Sequence, residues 1–199
     1  MFDRKRRGAV GLMLLLLASL ALSCGALKKL AGNGGLDEAN KLVQSANEDL
    51  KEISKIAQSN KDQESRINKL LNANDLQGAK QAMDDTIKAI DSGLEKGRSA
   101  ADKFDKASKL DIDQVYRDYL TKKSQSVRKT AEAFEELKKA ITILRDNVGS
   151  TDKAALDKAR QDAITSGENF DRLIAEAVKL DREADDIARK NPDKIKPSS

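Results

Sequence analysis

The side chains in this chain that could do chemistry are few, and most of them are carboxylates. The sequence has no histidine and one cysteine, Cys24, which excludes the usual zinc sites, histidine-based acid–base chemistry and an intramolecular disulfide. Adjacent carboxylates occur at Asp84–Asp85, Glu135–Glu136 and Asp185–Asp186. Neighbours in sequence point in different directions on a helix, so these pairs cannot easily share a metal ion or a proton. We therefore predict no metal, no cofactor and no enzymatic activity.

Cys24 is the one nucleophile with an unusual sequence setting. A positive segment, Arg4 to Arg7, is followed by an apolar run from Gly8 to Leu20 and then by the short segment Ala21-Leu22-Ser23. This order of charged, apolar and small segments is that of a secretory signal. The chain's single thiol lies directly after it.

Residues 4–24, ending in Leu20-Ala21-Leu22-Ser23-Cys24, resemble the lipobox signal peptide of bacterial lipoprotein precursors. The resemblance implies that the thiol of Cys24 is joined to diacylglycerol and that signal peptidase II cleaves before it. Cys24 would then be the first residue of the mature protein, usually acylated at its amino group too. In the same family, Gly25 after the cysteine, rather than aspartate, favours an outer membrane if the host is Gram-negative. The resemblance covers about the first two dozen residues, and no family is recognised for the rest.

Two other interpretations of this segment stay open. No charged residue occurs from Gly8 to Leu27, and roughly 20 apolar residues can span a bilayer, so the segment could be an uncleaved transmembrane helix. A secretory signal without lipid attachment would also have these three parts.

The charge balance argues against nucleic acid as a partner. The chain has 37 cations and 33 anions, but four of the cations and one of the anions precede Cys24, which leaves 33 and 32. The mature chain would be almost neutral. It also has no basic patch interleaved with aromatic residues of the kind that stacks on bases.

The rest of the chain has the composition of long helices. Charged residues make up 35% and aromatic residues 3%, and the two prolines are Pro192 and Pro197, so no proline interrupts the interior. We predict four segments: a signal peptide at 1–23, a lipid-anchored, glycine-rich flexible linker at 24–35, a helical bundle at 36–190 and a disordered tail at 191–199.

Apolar residues at spacings of three and four predict four helices in the body. The first runs from Leu36 to Leu71, although the polar run Gln58–Ser65 could divide it into two shorter helices. The second starts at Leu76 after the N-cap Asp75 and fades near Ser108 to Leu110, the third follows a cap at Asp111 and runs to Val148, and the fourth follows Gly149–Asp152 and ends near Lys190.

Short connections make sequential helices antiparallel neighbours. The predicted fold is therefore all-α, an elongated, coiled-coil-like, up-down four-helix bundle about 50 Å long. A helical-hairpin repeat array is the alternative, because Asn74–Ala79 faintly resembles the turn between tetratricopeptide repeats. No 34-residue period supports that alternative.

A group of small and polar residues is expected at one height near the middle of this bundle. Its members are Ala57, Gly93, Gly97, Thr130, Ser166 and Gly167. Such a layer either allows the backbones to approach closely or leaves a pocket for a ligand.

Two functions follow from these patterns. The first is a non-catalytic lipoprotein of the cell envelope, exported and anchored in a membrane through Cys24, which binds another envelope protein or has a structural role at the membrane surface. The second is a carrier or sensor that binds a small ligand inside the bundle.

Overall fold

The structure is a computed structural model that describes residues 34–195. It contains five helices: α1 Gly34–Ser59, α2 Gln63–Asn72, α3 Leu76–Ser108, α4 Gln114–Asn147 and α5 Lys153–Lys190. Over this range there is no strand, and α1 and α2 together form the first arm of a closely packed, antiparallel four-helix bundle. The predicted fold class is confirmed. The predicted signal peptide, Cys24 and most of the predicted linker lie outside the described residues.

The order of packing follows the order of the chain. α1 and α2 pack on α3, α3 packs on α4, and α4 packs on α5 over the longest interface. Lys123 of α4 contacts Asp181 of α5, and Phe134 contacts Phe170, so the numbers rise on one helix as they fall on the other. We call the end where α1 begins the near end and the opposite end the far end.

Aspartate side chains cap three of the helices. Asp75, Asp113 and Asp152 accept hydrogen bonds from first-turn amides of α3, α4 and α5, which satisfies donors that have no partner within the helix. Two of these caps agree with the sequence prediction, but the cap of the third predicted helix is Asp113 and not Asp111. The residue between them, Ile112, packs against the near-end core, which delays the helix start by one short turn.

The turn between α2 and α3 is closed by backbone hydrogen bonds. Asn74 has a positive φ of 57°, its amide donates to the Leu71 carbonyl, and the Asp75 amide donates to the Leu70 carbonyl. This is the Schellman arrangement, with asparagine in the left-handed position that glycine usually occupies.

The first predicted helix is interrupted, so the prediction of a continuous Leu36–Leu71 helix is wrong and the alternative of two helices is right. The interruption is the turn at residues 60–62, where the Asn60 side chain donates to the Ile56 carbonyl at 2.8 Å and the Gln63 amide donates to the Asn60 carbonyl at 3.1 Å. Polar side chains that bond to nearby backbone compete with the helix. None of the residues from 58 to 65 is buried enough to hold the helix straight.

The core has two parts. In the near half, small residues on α1 and α3 close around Phe104, Tyr116 and Leu120, and the buried members of this cluster are Ala39, Val43, Ala46, Ala100, Phe104, Ala107, Tyr116, Leu120 and Ile195. In the far half, the buried cluster consists of α4 and α5 residues alone: Ala133, Leu137, Phe170, Leu173 and Ile174. The first arm therefore contributes to the near core and not to the far one.

The chain after α5 returns to the bundle, which corrects the predicted disordered tail for residues 191–195. α5 ends at Lys190 as expected, but the next residues form a turn in which the Ile195 amide donates to the Asn191 carbonyl at 2.9 Å. Ile195 is 2% exposed and belongs to the near-end core. Lys194 also pairs with Asp113 at 2.8 Å. The buried Ile195 side chain and the Lys194–Asp113 ion pair together hold this polar segment against the bundle.

The predicted linker also ends earlier than residue 35, because Gly34 and Gly35 are already helical. A Cβ atom on Gly35 would lie 2.5 Å from the carbonyl oxygen of Asp111 in the α3–α4 turn. The glycine is thus required for close packing at this position, whereas the sequence pattern assigned it to a flexible segment.

Candidate functional site

The near half of the bundle contains a buried cation between two carboxylates. Lys123 is 6% exposed, its Nζ donates to Asp181 at 2.7 Å and to Asp185 at 3.1 Å, and it lies 5.7 Å from the centroid of the Tyr119 ring. Burial alone would lower the pKa of the Lys123 ammonium. Attraction by Tyr119 and the two aspartates outweighs burial, so the pKa is raised and the side chain stays charged.

Tyr116 extends this polar group toward α1. Its ring stacks on that of Tyr119 with centroids 6.2 Å apart, and its hydroxyl donates to Asn40 Oδ1 at 3.1 Å. Burial, together with the neighbouring Tyr119, raises the pKa of Tyr116 well above its usual value. The phenol is therefore a neutral hydrogen-bond donor at physiological pH.

A second buried charge joins α1 to α3. Asp49 is buried and accepts from Lys103 Nζ at 2.5 Å, and Lys96 lies 3.5 Å away. Burial alone would raise the pKa of Asp49, but hydrogen bonds from Lys103 and Ser99 and the charges of the two lysines outweigh it and lower the pKa.

Two serine hydroxyls connect the helices through backbone. Ser124 Oγ donates to the Ala101 carbonyl of α3, and Ser126 Oγ donates to the Ala177 carbonyl of α5, both at 2.9 Å. Because serine is small, α4 can approach both neighbouring helices at these positions. Each hydroxyl has a backbone carbonyl as its partner, so burial does not leave it unpaired. Specific polar contacts between helices therefore stabilise the near half.

These groups have no acid–base chemistry near neutral pH. The pKa of the Lys123 ammonium and that of the Tyr116 phenol are both raised, and the pKa of Asp49 is lowered. Each shift moves the titration further from pH 7, whereas a catalytic acid or base is normally tuned toward it.

The sequence pattern contains a signal for one member of this polar group. Lys123 interrupts the apolar stripe of its helix and could be singled out, but its partners could not. The informative carboxylate pair is Asp181 and Asp185, four residues apart on one face of α5, and not the adjacent pair Asp185–Asp186. Asp49 was missed, although it follows the buried Ala46 by three positions.

The six small and polar residues predicted to share one height separate into two levels. Phe134 and Phe170 pack edge to face with centroids 5.8 Å apart. Thr130 lies one turn before Phe134, and Ser166 lies one turn before Phe170. Because α4 and α5 are antiparallel, Thr130 is on the near side of this aromatic pair and Ser166 is on its far side. The two hydroxyls do not line one pocket.

On the near side of the aromatic pair the helices meet closely at Gly97. This glycine is buried, and a Cβ atom there would lie 3.8 Å from Ile53 and 3.9 Å from Ala131. The half-buried Thr130 uses its hydroxyl to donate to the Ser126 carbonyl at 3.0 Å. At this level Gly97 packs against Ile53 and Ala131. The Thr130 hydroxyl already donates to its own helix.

Toward the far side of the aromatic pair the packing leaves more space, and one buried hydroxyl is unpaired within the described residues. Gly93 has no atom within 4 Å of an added Cβ, and Ala57 and Gly167 are half-buried. Ser166 is 1% exposed, and its Oγ has no hydrogen-bond partner. This hydroxyl is the one feature of the layer that could receive a polar atom from outside the chain.

Three large apolar side chains are exposed among the described residues, and all lie in the far half, on α4 and α5. They are Leu144, Leu156 and Ile164, each about 40% exposed. Isolated exposed apolar residues are common, but here the near half has none of comparable size.

Nowhere in residues 34–195 do three or more metal-ligating side chains converge. None of the helices in that range combines the length and apolar content that crossing a bilayer requires.

Comparison with protein-family models, with curated proteins and with solved structures gave no match to this chain.

Proposed function

We propose that the protein is a non-catalytic, lipid-anchored component of the cell envelope that acts as a protein-interaction or structural module at a membrane surface. One observation carries the proposal: the chain's single thiol, Cys24, ends a signal-type segment and precedes the first residue of α1, Gly34, by ten positions. A lipid on that thiol would place the bundle directly on the membrane. By the family resemblance, the protein would be exported, and the outer membrane is favoured in a Gram-negative host.

The dimensions of the chain suit this arrangement. A ten-residue linker spans at most about 35 Å, and about 17 Å on average if it is a glycine-rich coil. The 34 residues of α4 are about 50 Å long. The near end would then lie within a few tens of ångströms of the bilayer, and the far end would extend well beyond it.

Contacts at the near end join the start of α1 to other parts of the bundle. Gly35 packs against the Asp111 carbonyl, Tyr116 bonds to Asn40, and Lys194 pairs with Asp113. These contacts tie the start of α1 and the chain after α5 to the α3–α4 turn and α4. A force on the linker would therefore act on several helices rather than on α1 alone.

The carrier alternative is supported by a single atom, the unpartnered Oγ of Ser166. The close packing of the helices and the internal hydrogen bond of Thr130 favour the interaction module instead. Native mass spectrometry of the purified protein separates the two: a carrier would retain a small molecule that Ser166→Ala loses, and the interaction module would have no such adduct.

Replacement of Cys24 tests the anchor. In cells labelled with palmitate, the wild-type protein should incorporate label and be processed to the mature size, and Cys24→Ser should do neither. Ser23→Ala keeps a small residue before the cysteine and is the matched control, expected to behave as wild type. A Cys24→Ser protein that stays in the membrane at unchanged size would favour a transmembrane segment. An unlabelled, released wild-type protein would indicate plain secretion.

Site-specific cross-linking tests the interaction role. A photoreactive residue at Ile164, exposed in the far half, is compared with one at Glu38, exposed at the near end. In intact cells we expect a discrete protein adduct from Ile164 and none of that size from Glu38. A monomer at both positions would contradict a protein partner for the far half.

A further inference from the structure

α2 differs from the other four helices in how it is held. It has ten residues, none of them buried, whereas each of the others contains at least four buried residues. Its apolar residues Ile67, Leu70 and Leu71 are only half-buried. α2 packs on α3 and has few contacts with any other described helix.

The start of α2 lacks a cap. Asp62 stands at the N-cap position, but its backbone is helical, with φ −94° and ψ −2°, and its side chain accepts no capping hydrogen bond. Asp75, Asp113 and Asp152 do cap α3, α4 and α5. Helices shorter than about 12 residues are marginal in water without packing and capping, so α2 lacks one of the two supports.

Two polar groups in the first turn of α2 are also poorly placed. Gln63 Oε1 is buried without a hydrogen-bond partner. The Glu64 carboxyl is half-buried and has no ion pair with a cation among residues 34–195, and burial raises its pKa. The packed position of α2 therefore leaves the Gln63 oxygen unpaired and the Glu64 carboxyl partly desolvated, and both cost free energy.

The attachment of α2 to α3 is correspondingly weak. Arg66 and Asp85 are 3.8 Å apart, and their side chains are 53% and 36% exposed, so solvent weakens this ion pair. Ala82 and Thr86 are buried and share the helix face of Asp85. Because Arg66 of α2 lies against Asp85, α2 lies along this side of α3.

We propose that α2 is a lid, a helix that opens from α3 together with the turn at residues 60–62 while α1, α3, α4 and α5 stay packed. Opening exposes the α3 face that contains Ala82 and Thr86, in the half of the bundle opposite the proposed anchor. The far core is built from α4 and α5, so it does not depend on the lid. The proposal does not rest on the lipid anchor or on a particular partner.

Hydrogen exchange read by mass spectrometry on the full chain in detergent tests the lid. Peptides from Gln63–Asn72 should exchange at least about tenfold faster than peptides from residues 79–87 on α3, because local opening is cheaper than global unfolding. Equal protection of the two segments would overturn the proposal.

Two variants sharpen the test. Glu64→Gln removes the buried carboxylate and should slow exchange in α2 alone by a few-fold at pH 7, whereas the exposed Glu48→Gln on α1 should leave it unchanged. Ile67→Ser should speed exchange in α2 and leave α4 and α5 protected. A loss of protection throughout the bundle would show that α2 is an integral part of the core and would contradict a lid.

Discussion

Gly35 has less room for a side chain than the other described glycines, apart from Gly78, which lies against the Asp75 cap, and Gly149, whose φ is positive. A methyl group at Gly35 would lie 2.5 Å from the Asp111 carbonyl oxygen, and backbone cannot yield as a flexible side chain can. We expect Gly35→Ala to destabilise the fold by about 1–3 kcal/mol, the usual cost of overpacking. Urea denaturation followed by circular dichroism measures this.

The neighbouring Gly34 is a direct control, because a Cβ atom there meets nothing within 4 Å. Gly34→Ala should be neutral or slightly stabilising, since alanine favours the helix. If the two variants have equal stability, the close approach of α1 to the α3–α4 turn is wrong.

Gly97 and Gly93 form a second matched pair, one turn apart on α3. A Cβ at Gly97 already contacts Ile53 and Ala131 at ordinary distances, whereas one at Gly93 meets no atom within 4 Å. Gly97→Leu should therefore cost about 1–3 kcal/mol by overpacking, and Gly93→Leu should cost less than about 0.5 kcal/mol or stabilise the helix. Thermal unfolding of the two variants checks the order, and the reverse order would contradict the assigned packing.

Asp49 gives the fold a defined dependence on pH. Its pKa is lower in the folded protein than the usual 3.8, so the folded state holds its proton less tightly than the unfolded chain does. The resulting stability is fully present above about pH 4 and is lost as the pH falls through the folded pKa. Asp49→Asn should cost about 1–3 kcal/mol at pH 7 and progressively less below pH 4.

Urea titrations of wild type and Asp49→Asn at pH 7 and near pH 2.5 measure this difference. Glu48→Gln, at an exposed position on the same helix, should stay within about 0.5 kcal/mol of wild type at both. A cost of Asp49→Asn that is the same at the two pH values would show that its ion pairs with Lys103 and Lys96 do not contribute.

At the scale of elements, the lengths of α3, α4 and α5 were predictable because one apolar stripe and strong end signals agree along each. α3 starts at Leu76 and α5 ends at Lys190, as the caps and Pro192 indicated. The break in the first arm was less certain, since it depends on the Ser59 and Asn60 side chains, which both donate to the Ile56 carbonyl of α1. Local competition of this kind leaves no periodic signal.

The segment after α5 could not be predicted for a different reason. Its composition is polar, and the contact that orders it joins Ile195 to residues of α1, α3 and α4 in the near-end core. Contacts between distant parts of the chain determine such a segment, and periodicity reports only on one helix at a time.

Ile195→Ala tests whether this segment is part of the fold. The side chain is 2% exposed in the near-end core, so its truncation should cost about 2–4 kcal/mol and lower the midpoint of thermal unfolding by several degrees. Lys194→Ala breaks only the exposed ion pair with Asp113 and should cost less than about 1 kcal/mol. If Ile195→Ala leaves the free energy of unfolding unchanged, the segment is not packed against the bundle in solution.

At the scale of the whole molecule, the sequence predicted an antiparallel bundle because four amphipathic helices with short connections have few other ways to close. The buried charges were harder to anticipate. Lys123 was visible as a polar residue in an apolar stripe, but its partner Asp181 lies 58 positions away and is identified only when the register of α4 and α5 is known. Within the predicted central layer, the register places Thr130 and Ser166 on opposite sides of Phe134, so their two hydroxyls are not at one level.

The division into a locked near half and a less complete far half was not visible in the sequence. Inter-helix bonds of Lys123, Asp49, Ser124 and Ser126 all lie in the near half. The exposed apolar side chains, the break in the first arm and the uncapped α2 all lie in the far half. This polarity fits a module fixed at one end and available for contacts at the other.

The mass of the mature protein tests the central proposal most directly. Intact mass spectrometry of protein extracted from membranes should give a chain that begins at Cys24 and carries added mass equal to a diacylglyceryl group, with or without one further acyl chain. Peptide fragmentation should place that mass on Cys24. A chain that retains residues 1–23, or one that begins elsewhere without lipid, would contradict the account.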